Sequence, residues 1–306
     1  MSGVVEGFAT IGLVIALGAV LAHVGFLGRT EQHFLSRLAF FVGSPALLLT
    51  TIGHTPTHDV ISRNLVASSV SALVAGGLYL LGARLVWHRP PGEAAIGALS
   101  SGYVNAGNLG LPIAAYVLGS ASYAAPTLLL QLLVLQPAAL AVLDADRTGR
   151  RPSLWLLLRS PLTNPLTLGA LAGLALSLTG TSLPPALGNP ISLVAGLAVP
   201  AMLIAYGVAL RLGPGLGGDV PRAELATTTV LKSAVQPLVA YAVASLLGVS
   251  GHALLAIVVM AALPTAQNIF VHATRYDRAT TLARDTILLT TMLSVPVIFG
   301  VAFLLH

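Results

Sequence analysis

The sequence predicts an all-α membrane protein of ten transmembrane helices, folded as a 5+5 inverted repeat with broken crossover helices 4 and 9 and both termini outside. Three observations predict it. Of the 306 residues, 56% are hydrophobic and only 8% charged, and mean hydropathy is +0.89. A soluble domain carries roughly 25% charged residues, so most of this surface must face lipid. The apolar residues come in continuous Leu-, Ala-, Gly- and Val-rich runs, near the roughly 20 that a spanning helix needs. Strands of a transmembrane barrel would alternate polar and apolar instead. Finally, the basic residues gather on one side of those runs.

Reading apolar runs between charged or Pro/Gly-rich breaks places the spans at about 3–26, 34–53, 63–86, 94–118, 121–143, 163–180, 189–210, 222–248, 251–274 and 282–305. The first run follows no Lys or Arg and is long enough to cross, so it reads as a span rather than a signal peptide. The second contains Ser44-Pro45 and the seventh Val199-Pro200. The fourth carries Asn105, Asn108 and Pro112, and the ninth Pro264, Thr265, Gln267 and Asn268. Gln131 and Gln136 lie in the fifth, and Lys232 lies inside the eighth. Thirteen of the 15 basic residues flank the odd-numbered loops, and Arg63 alone flanks an even one. The positive-inside rule then makes the odd loops cytoplasmic.

The chain divides at its most basic loop into a first five-helix repeat (1–143), a short basic cytoplasmic linker (144–162) and a second repeat (163–306). Five spans per half invert the second half relative to the first. Inverted halves are a recurring device of secondary transporters, because they can exchange inward- and outward-open forms.

Spans four and nine break the rules for a lipid-facing helix. Proline removes a backbone donor and glycine permits unwinding. Backbone groups freed in hydrocarbon cost several kcal/mol each, so they must line a cavity or find protein partners. Asn105 and Asn108 are three apart and share a helix face. Two broken helices meeting at mid-membrane aim half-helix N-termini at one place, which favours an anion. The expected substrate-binding set is therefore Asn105, Asn108, Pro112, Pro264, Thr265, Gln267 and Asn268, with Gln131 and Gln136 as cavity lining. Lys232, the only lysine, stands about 15 Å into its span at 1.5 Å per residue. A charge there is costly and marks function, either as a fixed cation or as a group that titrates in proton coupling.

Other chemistry is excluded by what the sequence lacks. There is no cysteine, hence no thiolate or disulfide chemistry. No P-loop, H-E-x-x-H or G-x-S-x-G occurs, so the chain is expected not to be an enzyme. His54, His58 and His272 have no metal-ligand spacing. No metal, cofactor or nucleic-acid partner is expected.

The segment Asn105–Pro112, the segment Pro264–Asn268 followed by Tyr276, and the prolines of spans two and seven resemble the auxin efflux carrier family, which includes plant carriers and bacterial carboxylate permeases, within the bile acid/arsenite/riboflavin-type transporter superfamily. The resemblance covers essentially the whole chain. Plant members carry a long segment between spans five and six, and residues 144–162 are too short for one, which points to a bacterial-type member of the inner membrane. The resemblance implies a scaffold of spans one, two, six and seven, a mobile core of the others, a homodimer, and Asn108 and Asn268 contacting an organic anion. It also implies that Lys232 takes the role of a sodium ion in related carriers. The expected function is secondary transport of a small organic anion, a carboxylate or indole carboxylate, by alternating access. A sodium-coupled symporter and a non-transporting membrane sensor or complex subunit are the alternatives.

Overall fold

Proline sets much of the helical geometry. The computed structural model describes residues 2–54, 63–149, 164–212 and 220–305, with side chains from residue 9 onward. Its helices are α1 (Ser2–His23), α2 (Arg29–Gly53), α3 (Arg63–Leu85), α4 (Pro91–Gly102), α5 (Leu111–Tyr116), α6 (Ala121–Thr148), α7 (Pro165–Thr179), α8 (Pro185–Leu212), α9 (Arg222–Leu246), α10 (Gly251–Ala262), α11 (Asn268–Tyr276) and α12 (Thr280–Leu305). Wide π turns occupy Ala39–Gly43 in α2, Ala106–Gly110 before α5, Gln131–Leu135 in α6 and Leu231–Val235 in α9. Each ends two residues before a proline: Pro45, Pro112, Pro137 and Pro237. A proline clashes with the carbonyl four residues back, and one extra residue in the turn relieves the clash. Accordingly the residue before the proline bonds five back, Gln136 N–H to the Gln131 carbonyl and Gln236 N–H to that of Leu231.

The expectation of ten spanning helices is corrected. Among the described residues six helices are long and apolar enough to cross a membrane: α2, α3, α6, α8, α9 and α12. Three shorter apolar stretches, Ala9–His23, Pro165–Thr179 and Gly251–Ala262, accompany them. The physical reason lies in runs that hydropathy reads as continuous. Two of them are split at Tyr103–Asn105 and Leu263–Gln267, leaving pieces of 12, 6, 12 and 9 residues. A run of 15 residues, as in α7, spans only about 22 Å at 1.5 Å per residue. With the count of ten falls the basis for the 5+5 arrangement and for placing both termini outside. Most of the expected linker, residues 150–162, lies outside the described residues, as does His58.

Contacts divide the chain into two units. The first comprises Met1–Ser62, Gly107–Leu129 and Leu162–Gly215. In it α1 packs along α8, and α2 along α7 and α8. The approach of α1 is close enough that a Cβ on Gly207 would fall on the Ile15 carbonyl. Small residues at such crossings let helices associate by dispersion where lipid supplies no hydrophobic drive. Thr50, Thr51, His54, Ser120 and Ser192 line a polar recess of about 410 Å³ in this unit.

The second unit comprises Arg63–Ala106, Leu130–Pro161 and Leu216–His306. Here α3 packs against α4 and α9, and α9 against α10. Gly102 makes the α3–α4 crossing possible, since a Cβ there would stand 2.6 Å from the Ala72 carbonyl oxygen. Tyr79, fully buried on α3, lies over Gly97 of α4 and donates to Glu224 at 2.7 Å. Glu224, 1% exposed, also accepts from Arg89. That bond holds Arg89, in the loop between α3 and α4, above the usual guanidinium range.

Candidate functional site

The broken helices of the second unit meet as two short extended strands. Leu263 precedes a proline and is pushed to extended geometry, φ −57° and ψ 149°. Tyr103 is likewise extended, at φ −99° and ψ 108°. Val104 and Thr265 form an antiparallel bridge. Asn105 N–H donates to the Pro264 carbonyl at 2.8 Å, and Ala266 N–H to that of Tyr103 at 3.2 Å. Backbone that left its own helix thus finds partners in the other broken helix, as a nonpolar surrounding demands.

Unwinding also strands carbonyls at the ends of α4 and α10, where the helix dipole is negative. Four side chains satisfy them. Thr265 Oγ1 donates to Ser100 O at 2.6 Å, and Gln236 Nε2 to Gly102 O at 3.1 Å. Gln131 Nε2 donates to Val104 O at 2.9 Å, and Lys232 Nζ to Ala261 O at 2.8 Å. Thr290 Oγ1 of α12 accepts from Thr265 N–H at 3.1 Å, tying down the same segment. Lys232 is 1% exposed, and no carboxylate among the described residues pairs with it. Gln131 and Gln236, 2% and 3% exposed, are equally deep. The π turns deliver these donors: Gln131 opens one, and Lys232 lies in the other with Gln236 just after it.

The less buried side of the site is the start of α11. Gln267 precedes that helix without a side-chain capping bond and Asn268 begins it, and both are half-buried. Asn268 Nδ2 donates to Gln136 Oε1 at 3.3 Å, and the Tyr103 hydroxyl donates to the same oxygen at 3.1 Å. Gln136 is half-buried too. Here a helix N-terminus, an asparagine and a glutamine, all half-buried, come together in a corner whose donors suit an anion.

Of the expected site residues, the second unit therefore gathers Asn105, Pro264, Thr265, Gln267, Asn268, Gln131, Gln136 and Lys232. Thr265, Gln131 and Lys232 are spent on backbone carbonyls, whereas Gln267, Asn268 and Gln136 remain half-buried. Asn108, half-buried, and Pro112, buried, fall in the first unit. Tyr103, Gln236 and Thr290 were not anticipated. One signal was present: Gln236-Pro237 repeats the Gln136-Pro137 pair. Asp277, Arg278, Arg284 and Asp285, which look like one charge cluster in sequence, separate into Arg278–Asp146 and Arg284–Asp285 ion pairs, both at 2.7 Å.

Comparison with known proteins finds membrane transporters. The family described as "Membrane transport protein" matches residues 4–143 and 138–301. A protein of Rhizobium meliloti (strain 1021) named "Putative malonate transporter" is 27% identical over 303 residues, covering 96% of this chain and 93% of that protein. An "Uncharacterized transporter" of Methanothermobacter thermautotrophicus is 25% identical over 307 residues, covering 95% of each.

Proposed function

The chain belongs to the membrane transport protein family, as the resemblance to auxin efflux carriers implied, and from that premise we propose that it carries a small carboxylate through the crossover of its broken helices. It is a multi-pass transporter of the bacterial inner membrane, not an enzyme. The observation that carries the proposal is the corner formed by Asn268, Gln136 and the start of α11. Oriented amides and a positive helix end attract a carboxylate without a fixed formal charge. The anion can therefore leave as readily as it enters. Asn108 lies in the first unit, and its assignment to substrate contact rests on the family resemblance alone. The name of the Rhizobium relative puts malonate and other small dicarboxylates first among candidates.

Lys232 is the fixed cation of this scheme. Its bond to Ala261 O, with those of Gln236 and Thr265 to α4, supplies the stranded carbonyls with donors from the chain itself. Transport independent of sodium follows.

Binding tests the reading directly. Purified protein titrated with malonate, succinate, acetate and indole-3-acetate should show saturable heat release for at least one acid. Asn268→Ala should weaken it about tenfold, in line with the loss of a hydrogen bond to a charged group. Undiminished binding by Asn268→Ala would remove the crossover from the site.

A further inference from the structure

Three bonds from α6 to α11 and the turn that closes it share one numerical offset. Gln136 pairs with Asn268, Asp144 with Tyr276, and Asp146 with Arg278, each 132 residues apart. A constant offset means that the two helices run parallel in fixed register from the crossover to their far ends. Eight residues separate the first two pairs on each helix, about 12 Å at 1.5 Å per residue. The Tyr276 hydroxyl donates to Asp144 Oδ1 at 2.8 Å, and Arg278 Nε to Asp146 Oδ2 at 2.7 Å. Slippage of one helix along the other would break all three.

The end of α11 is shaped to present Arg278 to Asp146. Asp277 turns left-handed at φ 52°, and Arg278 N–H returns to the Ala273 carbonyl at 3.0 Å, closing the helix. The start of α4 packs onto the ion pair. A Cβ at Gly92 would stand 2.6 Å from Asp146 Oδ2 and 3.1 Å from Arg278 Cγ.

We propose that Asp144–Tyr276 and Asp146–Arg278 are positioning pairs, which act at a distance by setting the spacing of Gln136 and Asn268 at the substrate corner. The proposal rests on the carboxylate site described above. A carrier must keep that corner intact while other parts of it move. Anchoring α11 to α6 at its far end keeps donors from two helices at one spacing throughout the cycle. Both pairs are partly buried, Asp146 at 13% and Tyr276 at 7% exposure, so each holds its two helices at a defined spacing.

The test is initial-rate uptake of radiolabelled malonate into proteoliposomes, read as KM against maximal rate. Asp146→Arg should raise KM about tenfold with maximal rate held within about twofold, the size of one weakened hydrogen bond to a charged substrate. The exchanged pair Asp146→Arg/Arg278→Asp should restore KM. Tyr276→Phe, which removes one hydroxyl and keeps the ring, should raise KM in the same sense, and Gly92→Ala should do so without altering any charge. A fall in maximal rate at unchanged KM, or no rescue by the exchange, overturns the proposal. If Asn268→Ala leaves uptake intact, the site itself is wrong and the positioning role falls with it. If Asn268→Ala abolishes uptake while the Asp146, Tyr276 and Gly92 variants match wild type, only the positioning role falls.

Discussion

Lys232 Nζ lies 2.8 Å from the carbonyl oxygen of Ala261, one residue before the end of α10. The only lysine in the chain therefore caps the negative end of a broken helix, deep in the protein. Position and chemistry agree: an ammonium on a long stem reaches a carbonyl that no backbone donor can.

Replacing Lys232 separates function from stability. Burying an unpaired charge is costly, and glutamine removes the charge while keeping an N–H donor for Ala261 O. Lys232→Gln is expected to keep the melting temperature near wild type in detergent while lowering carboxylate uptake at least tenfold, the order seen when a preorganised charge is lost. Uptake at the wild-type rate would show that the cap is structural only.

Thr265 joins three elements by donating twice, its hydroxyl to Ser100 O at 2.6 Å and its N–H to Thr290 Oγ1 at 3.1 Å. Valine has the same shape without the hydroxyl and leaves Ser100 O unsatisfied. Buried unmet polar groups cost about 1–3 kcal/mol, so Thr265→Val should unfold measurably earlier in thermal or denaturant melts. A variant as stable as wild type would mean that Ser100 O finds another donor.

Pro237 holds open the π turn that aims Lys232. In Pro237→Ala the N–H is restored and an ordinary α-turn becomes possible, which would rotate the preceding face by about 100°. Uptake should be lost while the melting temperature stays level or rises, since proline in a helix is unfavourable. Retained uptake would place the cause of the π turn elsewhere than in the proline.

Gly97 makes room for Tyr79. A methyl group there overlaps the phenol ring, so Gly97→Ala must displace Tyr79 and strain its bond to Glu224. Overpacking of this kind costs about 1–3 kcal/mol, to be read as a lower melting midpoint. Gly77, with open space around its missing Cβ, is the matched control and should tolerate alanine.

The polar residues of the crossover were legible in the sequence because Asn, Gln and Pro are conspicuous in apolar runs. Their division of labour was not. Asn105, Thr265 and Gln131 look alike in sequence as membrane-buried polar groups, yet Thr265 and Gln131 serve stranded carbonyls while Asn268 and Gln136 remain half-buried. Which backbone group a side chain satisfies depends on where unwinding begins, and periodicity does not encode that. The same limit explains the helix count. A hydropathy window integrates across Tyr103–Asn105 and Leu263–Gln267, because extended residues within the membrane are as apolar as helical ones. Asp144 and Asp146 drew no attention, since their partners lie 132 residues away.

Charge movement on a solid-supported membrane tests the central claim most directly. Proteoliposomes of wild type, Asn268→Ala and Asn108→Ala would be challenged with malonate and other carboxylates, with and without sodium. The account predicts a saturable current for a carboxylate in wild type, unchanged by sodium and lost in both variants. A current that requires sodium, or one that survives loss of both asparagines, would contradict it.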